Sequence, residues 1–273
     1  MSEQPEDDLP NTRNVGGVVR VGDTVRRPAG PWTPAVHALL AHLHESGFDF
    51  APRPLGIDGA GREILTYIDG DTEMTPVAHR VWFDALPEAA RRLRQLHDLT
   101  VDFVPPDGAV WREPFGDLSR LGRPPHASDD EAEVICHGDW GKHNAVFRDG
   151  RLVGMIDWDC ARPERRLYDI GWFALEWCPV GEPGIVGPAL RDPMDQQPAR
   201  LRLLCDAYGL DDRSEVLGAV WSRLETFIEW LEAGAAAGDP LRKQRVEAGK
   251  AAHHRRRLEY LDDVQEKFAA ALR

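Results

Sequence analysis

Val134-Ile135-Cys136-His137-Gly138-Asp139-Trp140-Gly141-Lys142-His143-Asn144-Ala145-Val146-Phe147, followed by Arg148-Asp149-Gly150-Arg151 and then Leu152-Val153-Gly154-Met155-Ile156-Asp157-Trp158-Asp159, is the stretch whose reading decides the fold. The apolar triplet at 134–136 predicts a strand that delivers His137-Gly138-Asp139 into a loop. Ala145-Val146-Phe147 and Leu152 to Ile156 predict two short strands around an Asp-Gly turn. Such a hairpin returns Asp157 to the loop that carries Asp139 and Asn144. A carboxylate that can accept a proton from a hydroxyl then shares one region with a neutral amide oxygen and a second carboxylate, the hard oxygen ligands that magnesium prefers.

Phosphoryl transfer needs those groups together: a carboxylate to orient and deprotonate the acceptor hydroxyl, and oxygen ligands for magnesium ions bridging the nucleotide phosphates. Asp139 is placed as the base, and Asn144 and Asp157 as the metal ligands. Four residues separate Asp139 from Asn144, the interval of the protein-kinase catalytic loop. His-Gly-Asp alone would be an ordinary loop, because Asp and Asn favour turns. The ordered pair of motifs joined by a strand-turn-strand pattern is specific.

The region resembles the aminoglycoside phosphotransferase family of small-molecule kinases, relatives of choline and homoserine kinases. Their signature is His-Gly-Asp-x4-Asn followed by Ile-Asp-Trp/Phe-Asp/Glu. The resemblance implies that Asp139 is catalytic, that Asn144 and Asp157 hold Mg2+, and that Asp159 assists. Pro163 to Gly171 is similar to the family's next segment, in which an Asp opens a helix, so Asp169 is expected to be a cap or scaffold residue. Leu96-His97-Asp98 also resembles a family feature, with His97 expected at a helix end.

Before this stretch, Val18 to Val21 and Thr24 to Arg27 predict two strands around Gly22-Asp23, then a helix from about Ala35 to Ser46, then a hairpin from Pro54 to Ile68. This resembles a small kinase lobe, whose hinge would be Thr66 to Gly70, with the backbone of Thr66, Tyr67 and Ile68 meeting the nucleotide base. No Lys precedes Lys142, although family members place a strand Lys on the phosphates, paired with a helix Glu. Arg26 is the expected substitute, sharing a strand face with Thr24 while Arg27 points away. The helix has Val36 or His37 near the Glu position, so the usual pair is expected to be absent and His37 to face solvent. Gly16-Gly17 reads as a shortened phosphate-covering turn or as an ordinary one.

The composition adds limits. A chain of 273 residues with 42% hydrophobic content can bury a substantial core. Its four cysteines lack zinc-site spacing and are expected as reduced thiols, and no apolar run approaches the length of about 18 residues of a membrane span. Together with the absence of an N-terminal apolar segment, this predicts a cytoplasmic enzyme. A net charge of -13 argues against nonspecific nucleic-acid binding and suits a cationic substrate. Yet residues 199 to 273 carry 13 acidic and 13 basic side chains, so the C-terminal segment is neutral. There is no Walker A motif and no Gly-x-Gly-x-x-Gly.

From Pro76 the pattern is helical, with further helices expected at Arg200 to Leu210, Glu215 to Ala233 and Arg242 to Leu272. Trp221, Glu225, Glu229 and Trp230 could accommodate an amine but read better as a solvated face. Lys142 reads either as approaching a transferred phosphate or as exposed.

The expectation is an α+β, protein-kinase-like fold: a flexible leader over 1–12, a nucleotide-binding lobe with a small antiparallel sheet over 13–70, and a larger, mainly helical catalytic and substrate-binding lobe over 71–273. The expected activity is magnesium-dependent transfer of the γ-phosphate of ATP, or GTP, to a hydroxyl of a small molecule. The alternative is a nucleotide-binding pseudokinase or regulatory protein with little transfer; a nonenzymatic helical interaction protein is a third.

Overall fold

The computed structural model describes residues 6–8, 17–72, 78–112, 132–178, 180–181 and 196–273, with only the backbone of 78–82. Gly16 and residues 9–15 fall outside the described residues.

Strands β1 (Asp7–Asp8), β2 (Val19–Val21), β3 (Thr24–Pro28), β4 (Pro54–Ile57) and β5 (Arg62–Thr66) form an antiparallel sheet in the order β1-β2-β3-β5-β4. Asp7 and Asp8 lie opposite Arg20 and Val19, and Glu6 pairs with Arg62, so this part of the expected leader joins the sheet edge. The β-branched strands β2 and β3 are joined by a tight turn at Gly22-Asp23, as the sequence predicts. Helix α1 (Thr33–Glu45) begins with a Pro in its first turn, where the missing N–H costs nothing. It buries Leu39, Leu40 and Leu43 completely.

Helix α2 (Ala78–Leu99) carries Leu86, Ala90, Leu93 and Leu96 on one fully buried stripe, the three- and four-residue spacing read in the sequence. Strand β6 (Val134–Cys136) leads into the His137-Gly138-Asp139 loop and pairs with β9 (Arg162–Glu164). Between them, β7 (Ala145–Arg148) and β8 (Arg151–Met155) make the predicted hairpin. Its two turn residues, Asp149 and Gly150, both have positive φ, 51° and 74°, the backbone that matches the twist of a two-residue hairpin and explains the Asp-Gly choice.

Helices α3 (Arg166–Trp177), α4 (Gln196–Tyr208), α5 (Val216–Ala236), α6 (Pro240–Glu247) and α7 (Lys250–Leu272) complete the larger lobe. The sequence reading ran the last helix unbroken from Arg242; it is split at Ala248-Gly249.

One apolar core runs through both lobes, from Leu40 and Phe48 through Leu93 and Trp140 to Phe173 and Leu224. The hairpin β7–β8 is clamped at the junction. Asp71 and Phe147 exchange two backbone hydrogen bonds of 2.7 and 2.9 Å, Met155 N–H donates to Phe50 O at 2.7 Å, and Phe48 meets the Trp158 ring edge-on. The fold is α+β, and the β7–β8 hairpin is fixed to the small lobe and the large one together.

Candidate active site

The loop after β6 is held by buried polar groups from three helices. Gly138 sits at φ 82°, and a Cβ there would lie 2.2 Å from the Cys160 carbonyl oxygen, so both backbone angle and space require glycine. The fully buried Asp169 of α3 accepts the N–H groups of His137 (2.6 Å) and Gly138 (2.8 Å). Asp169 also accepts from His97 Nε2 at 3.2 Å, and His97 Nδ1 in turn takes the Tyr208 hydroxyl at 2.7 Å. The expected scaffold role is therefore seen, but Asp169 caps the His137-Gly138-Asp139 loop and not its own helix. Burial pushes its carboxyl up, yet the His97 hydrogen bond and the surrounding donors outweigh this and leave it below the ordinary value. On the other side, Arg223 of α5, 3% exposed, donates to Gly138 O at 3.1 Å.

His137 is sealed in the interior. Its Nε2–H donates to Ile156 O at 3.0 Å and Nδ1 accepts the Asp139 N–H at 3.3 Å, which fixes one neutral tautomer. Burial lowers its pKa and favours that state. Ile156 N–H donates back to Asn144 O at 2.9 Å. The two sequence motifs are thus stitched together, directly and through the His137 ring.

Asp139 faces the open side of this assembly. Trp172 Nε1 donates to its Oδ1 at 2.9 Å; Asn144 Nδ2 and His143 Nε2 approach Oδ2 at 3.2 and 3.3 Å. Burial raises the carboxyl's pKa, but the His143 hydrogen bond and charge bring it below the ordinary value, so it is held ionised. His143 shifts the other way: burial lowers it, and the hydrogen bond to Asp139 more than compensates, favouring the imidazolium. Asn144 spends its amide N–H on Asp139, so its side-chain oxygen is the atom that could ligate a metal.

Asp157 adopts a left-handed backbone, φ 62° and ψ 64°, uncommon for a side-chain-bearing residue and concentrated at functional sites. Its side chain is 49% exposed and meets Arg27 Nη1 at 3.1 Å. Arg27 Nη2 reaches Asp159, and Arg27 Nε reaches Glu63 at 2.6 Å. Arg112 Nη1 contacts the other Asp159 oxygen at 3.1 Å. Burial raises the Asp159 carboxyl, with neighbouring Asp157 adding to the shift against the pull of the arginines.

Several sequence expectations are redirected here. Arg26 is not in the site: its Nη1 lies 3.8 Å from Asp58. The face of β3 turned toward the site is the one bearing Val25 and Arg27, because they pair with Leu65 and Glu63, the buried positions of β5. His37 does not face solvent; its Nε2 lies 3.0 Å from Glu63 Oε2. Lys142 is not exposed: it is 6% accessible, with its Nζ over the Phe83 ring. At the hinge, the Thr66 and Tyr67 N–H groups donate to Arg53 O and Asp23 O, and the Ile68 side chain packs over Gly154.

Sequence reasoning missed Glu63, His143, Trp172 and Arg223. Only Glu63 carried a signal, as an acid alternating with Leu65 on a strand. The cluster of His97, Cys136 and Asp169 has metal-like proximity. Its members are buried, with His97 and Asp169 bonded as above and Cys136 Sγ donating to Arg165 O, so it serves as scaffold.

A model of the phosphotransferase enzyme family, APH, matches residues 107–204. The trifolitoxin immunity protein of Rhizobium leguminosarum bv. trifolii is 35% identical over 213 residues, 77% of this chain and 76% of that protein. Among solved structures, a choline/ethanolamine kinase family protein from Mesorhizobium loti aligns with TM-score 0.62 and 19% identity over 98% of this chain and 92% of its own. A GDP complex of aminoglycoside 2'-phosphotransferase-IIIa aligns with TM-score 0.57 and 17% identity over 99% and 95%. The complex of gentamicin with APH(2")-IIa gives 0.55 and 14% over 88% and 87%. These likenesses show the protein-kinase-like fold of small-molecule kinases, and with the matching model and the relative above, the chain belongs to the APH family of phosphotransferases.

Proposed function

We propose that the protein transfers the γ-phosphate of ATP or GTP, with Mg2+, to a hydroxyl of a small molecule, and does so in the cytoplasm. The observation that carries this reading is the placement of Asp139. Its ionised carboxylate is aimed by Trp172, Asn144 and His143, within one loop of a strained Asp157 and of Arg27. Asp139 orients the acceptor hydroxyl and receives its proton. A carboxylate below its ordinary pKa is a weak base, which suits a loose transition state in which the proton leaves late.

The donor set fits magnesium: Asn144 offers a neutral amide oxygen, and Asp157 a half-exposed carboxylate whose charge is met by Arg27. Asn144 and Asp157 would hold the ion, with Asp159 assisting. When bound, it neutralises charge on the nucleotide phosphates. Because the Thr66 and Tyr67 N–H groups are engaged in the sheet, the base edge would be met at Ile68. The similar aminoglycoside 2'-phosphotransferase-IIIa bound to GDP, and a spectinomycin phosphotransferase bound to ADP, support a nucleotide in this cleft without choosing between ATP and GTP.

Trp172, beside Asp139, begins an aromatic row with Phe227 and Trp230, at centroid spacings of 5.7 and 5.6 Å, and Glu176 stands behind His143. This surface suits an amphipathic or cationic acceptor. That a relative is named an immunity protein supports including toxic compounds among the acceptors screened.

The test is transfer from γ-labelled ATP and GTP to a panel of hydroxyl-bearing amines, sugars and antibiotics. Label should move to an acceptor in the wild type and fall by at least about 1,000-fold in Asp139→Ala, the combined loss of positioning and base catalysis. Transfer that survives in Asp139→Ala would remove Asp139 from the role given to it.

A further inference from the structure

Small-molecule kinases similar to this chain set a strand Lys on the nucleotide phosphates and hold it with a helix Glu, and neither residue is found here in its usual place. The structure fills both places differently. Strand pairing sets Arg27 opposite Glu63, and helix α1 brings His37 to the same carboxylate, so Glu63 receives Arg27 Nε at 2.6 Å and His37 Nε2 at 3.0 Å. Glu63 is 2% exposed, a burial that a carboxylate tolerates only with such partners. The carboxylate therefore comes from the neighbouring strand, and the helix contributes the group that orients it.

The Arg27 fork is divided between two duties. Nε is anchored on Glu63, while Nη1 and Nη2 lie on Asp157 and Asp159. A guanidinium can divide itself this way because its donors point in different directions on a rigid plane; an ammonium is a single point of charge. The fork thus sets one positive charge against two neighbouring carboxylates, with Arg112 Nη1 on the second oxygen of Asp159 at 3.1 Å.

We infer that Arg27, anchored by Glu63 and His37, is the phosphate-orienting cation of this chain and also a placeholder for the metal's charge. Its Nη groups, on Asp157 and Asp159, neutralise both carboxylates. On nucleotide binding Arg27 turns those groups to phosphate oxygens, with Nε remaining on Glu63. The proposal rests on the reading that this cleft binds a magnesium nucleotide.

The two duties predict effects of opposite sign. Arg27→Gln should weaken Mg·ATP or Mg·GTP binding, measured by calorimetry, by about tenfold or more, the scale of a lost charge-assisted hydrogen bond. The same variant should tighten binding of Mn2+ alone, followed by electron paramagnetic resonance. Arg27→Lys should retain nucleotide affinity within roughly tenfold of wild type, since the charge remains. His37→Leu should weaken nucleotide binding through Glu63, His37→Gln should recover part of it, and Arg26→Gln should leave it unchanged.

Arg27→Gln binding both probes like wild type, or losing affinity for both alike, overturns the proposal. Should Arg27→Gln fail to fold, Arg27→Lys and the His37 pair decide: Mg·nucleotide affinity unchanged in His37→Leu, or falling in Arg27→Lys by far more than roughly tenfold, overturns it equally. Wild type that binds neither nucleotide defeats the underlying reading itself, whereas wild-type binding with an indifferent Arg27 defeats only this inference.

Discussion

At the scale of single residues, the site depends on positions where no other side chain works. Gly138→Ala would force a Cβ into the Cys160 carbonyl at a φ that alanine avoids. The loop must shift, and a displacement of about 1 Å at reacting groups costs about 100-fold in rate. Transfer activity of Gly138→Ala should fall by that order, checked beside circular dichroism to confirm folding. His254 offers a second test. It is 4% exposed, and neither ring nitrogen finds a hydrogen-bond partner. Burial first, then the charges of Arg257, Lys250 and His253, push its pKa down to about 2. The unfolded chain, with an ordinary value of about 6.5, binds a proton that the native state refuses, so stability falls with pH below that value by about 1.4 kcal/mol per unit. His254→Leu should flatten this slope in urea unfolding between about pH 7.5 and about pH 5.5; an unchanged slope would assign it to other groups. At this scale Asp139, Asn144 and Asp157 could be singled out because chemistry and spacing coincide in one short stretch, and the structure brings their two segments together. The Arg26 expectation erred because β5 carries apolar residues on both faces, Leu65 on one and Ile64 on the other, so alternation alone does not say which side of β3 turns inward. That side follows from the burial of Glu63, a long-range fact.

At the scale of elements, α2 and α3 act as a polar clamp on the catalytic loop through His97 and Asp169. Asp169 has its folded pKa depressed, so its stabilisation is full above the unfolded value of about 3.9 and is lost as pH falls through the lower folded value. Asp169→Asn leaves two backbone donors facing an amide and should cost about 3 kcal/mol at neutral pH. The gap between variant and wild type in thermal unfolding should narrow as pH drops below about 3.9. A gap independent of pH would mean that the loss is packing and not charge. Helices α4 and α5 and the three hairpins, β2–β3, β4–β5 and β7–β8, were legible from periodicity and turn chemistry. The break between α6 and α7 was not, because Gly249 sits in a run that otherwise keeps helical composition, and one glycine inside a helix costs only about 1 kcal/mol. Residues such as Trp172 and Arg223 were illegible for a related reason: their roles depend on how α3 and α5 pack over the loop, which no local pattern encodes.

At the scale of the molecule, the core is continuous across the lobes, and Trp158 ties the Asp157 segment to Phe48 of the small lobe. Trp158→Ala should therefore destabilise the whole protein by about 4 kcal/mol in denaturant unfolding and not merely loosen one lobe. The central claim, a magnesium-nucleotide site between the lobes, is tested most directly by thermal unfolding of wild type and Asp157→Asn with ATP or GTP, each with and without magnesium. Nucleotide at about 100 times its dissociation constant stabilises the native state by about 2.7 kcal/mol if it binds only that state. A rise in melting temperature that needs magnesium, occurs in wild type and disappears in Asp157→Asn is the predicted result; no rise with either nucleotide, or an equal rise in the variant, would contradict it.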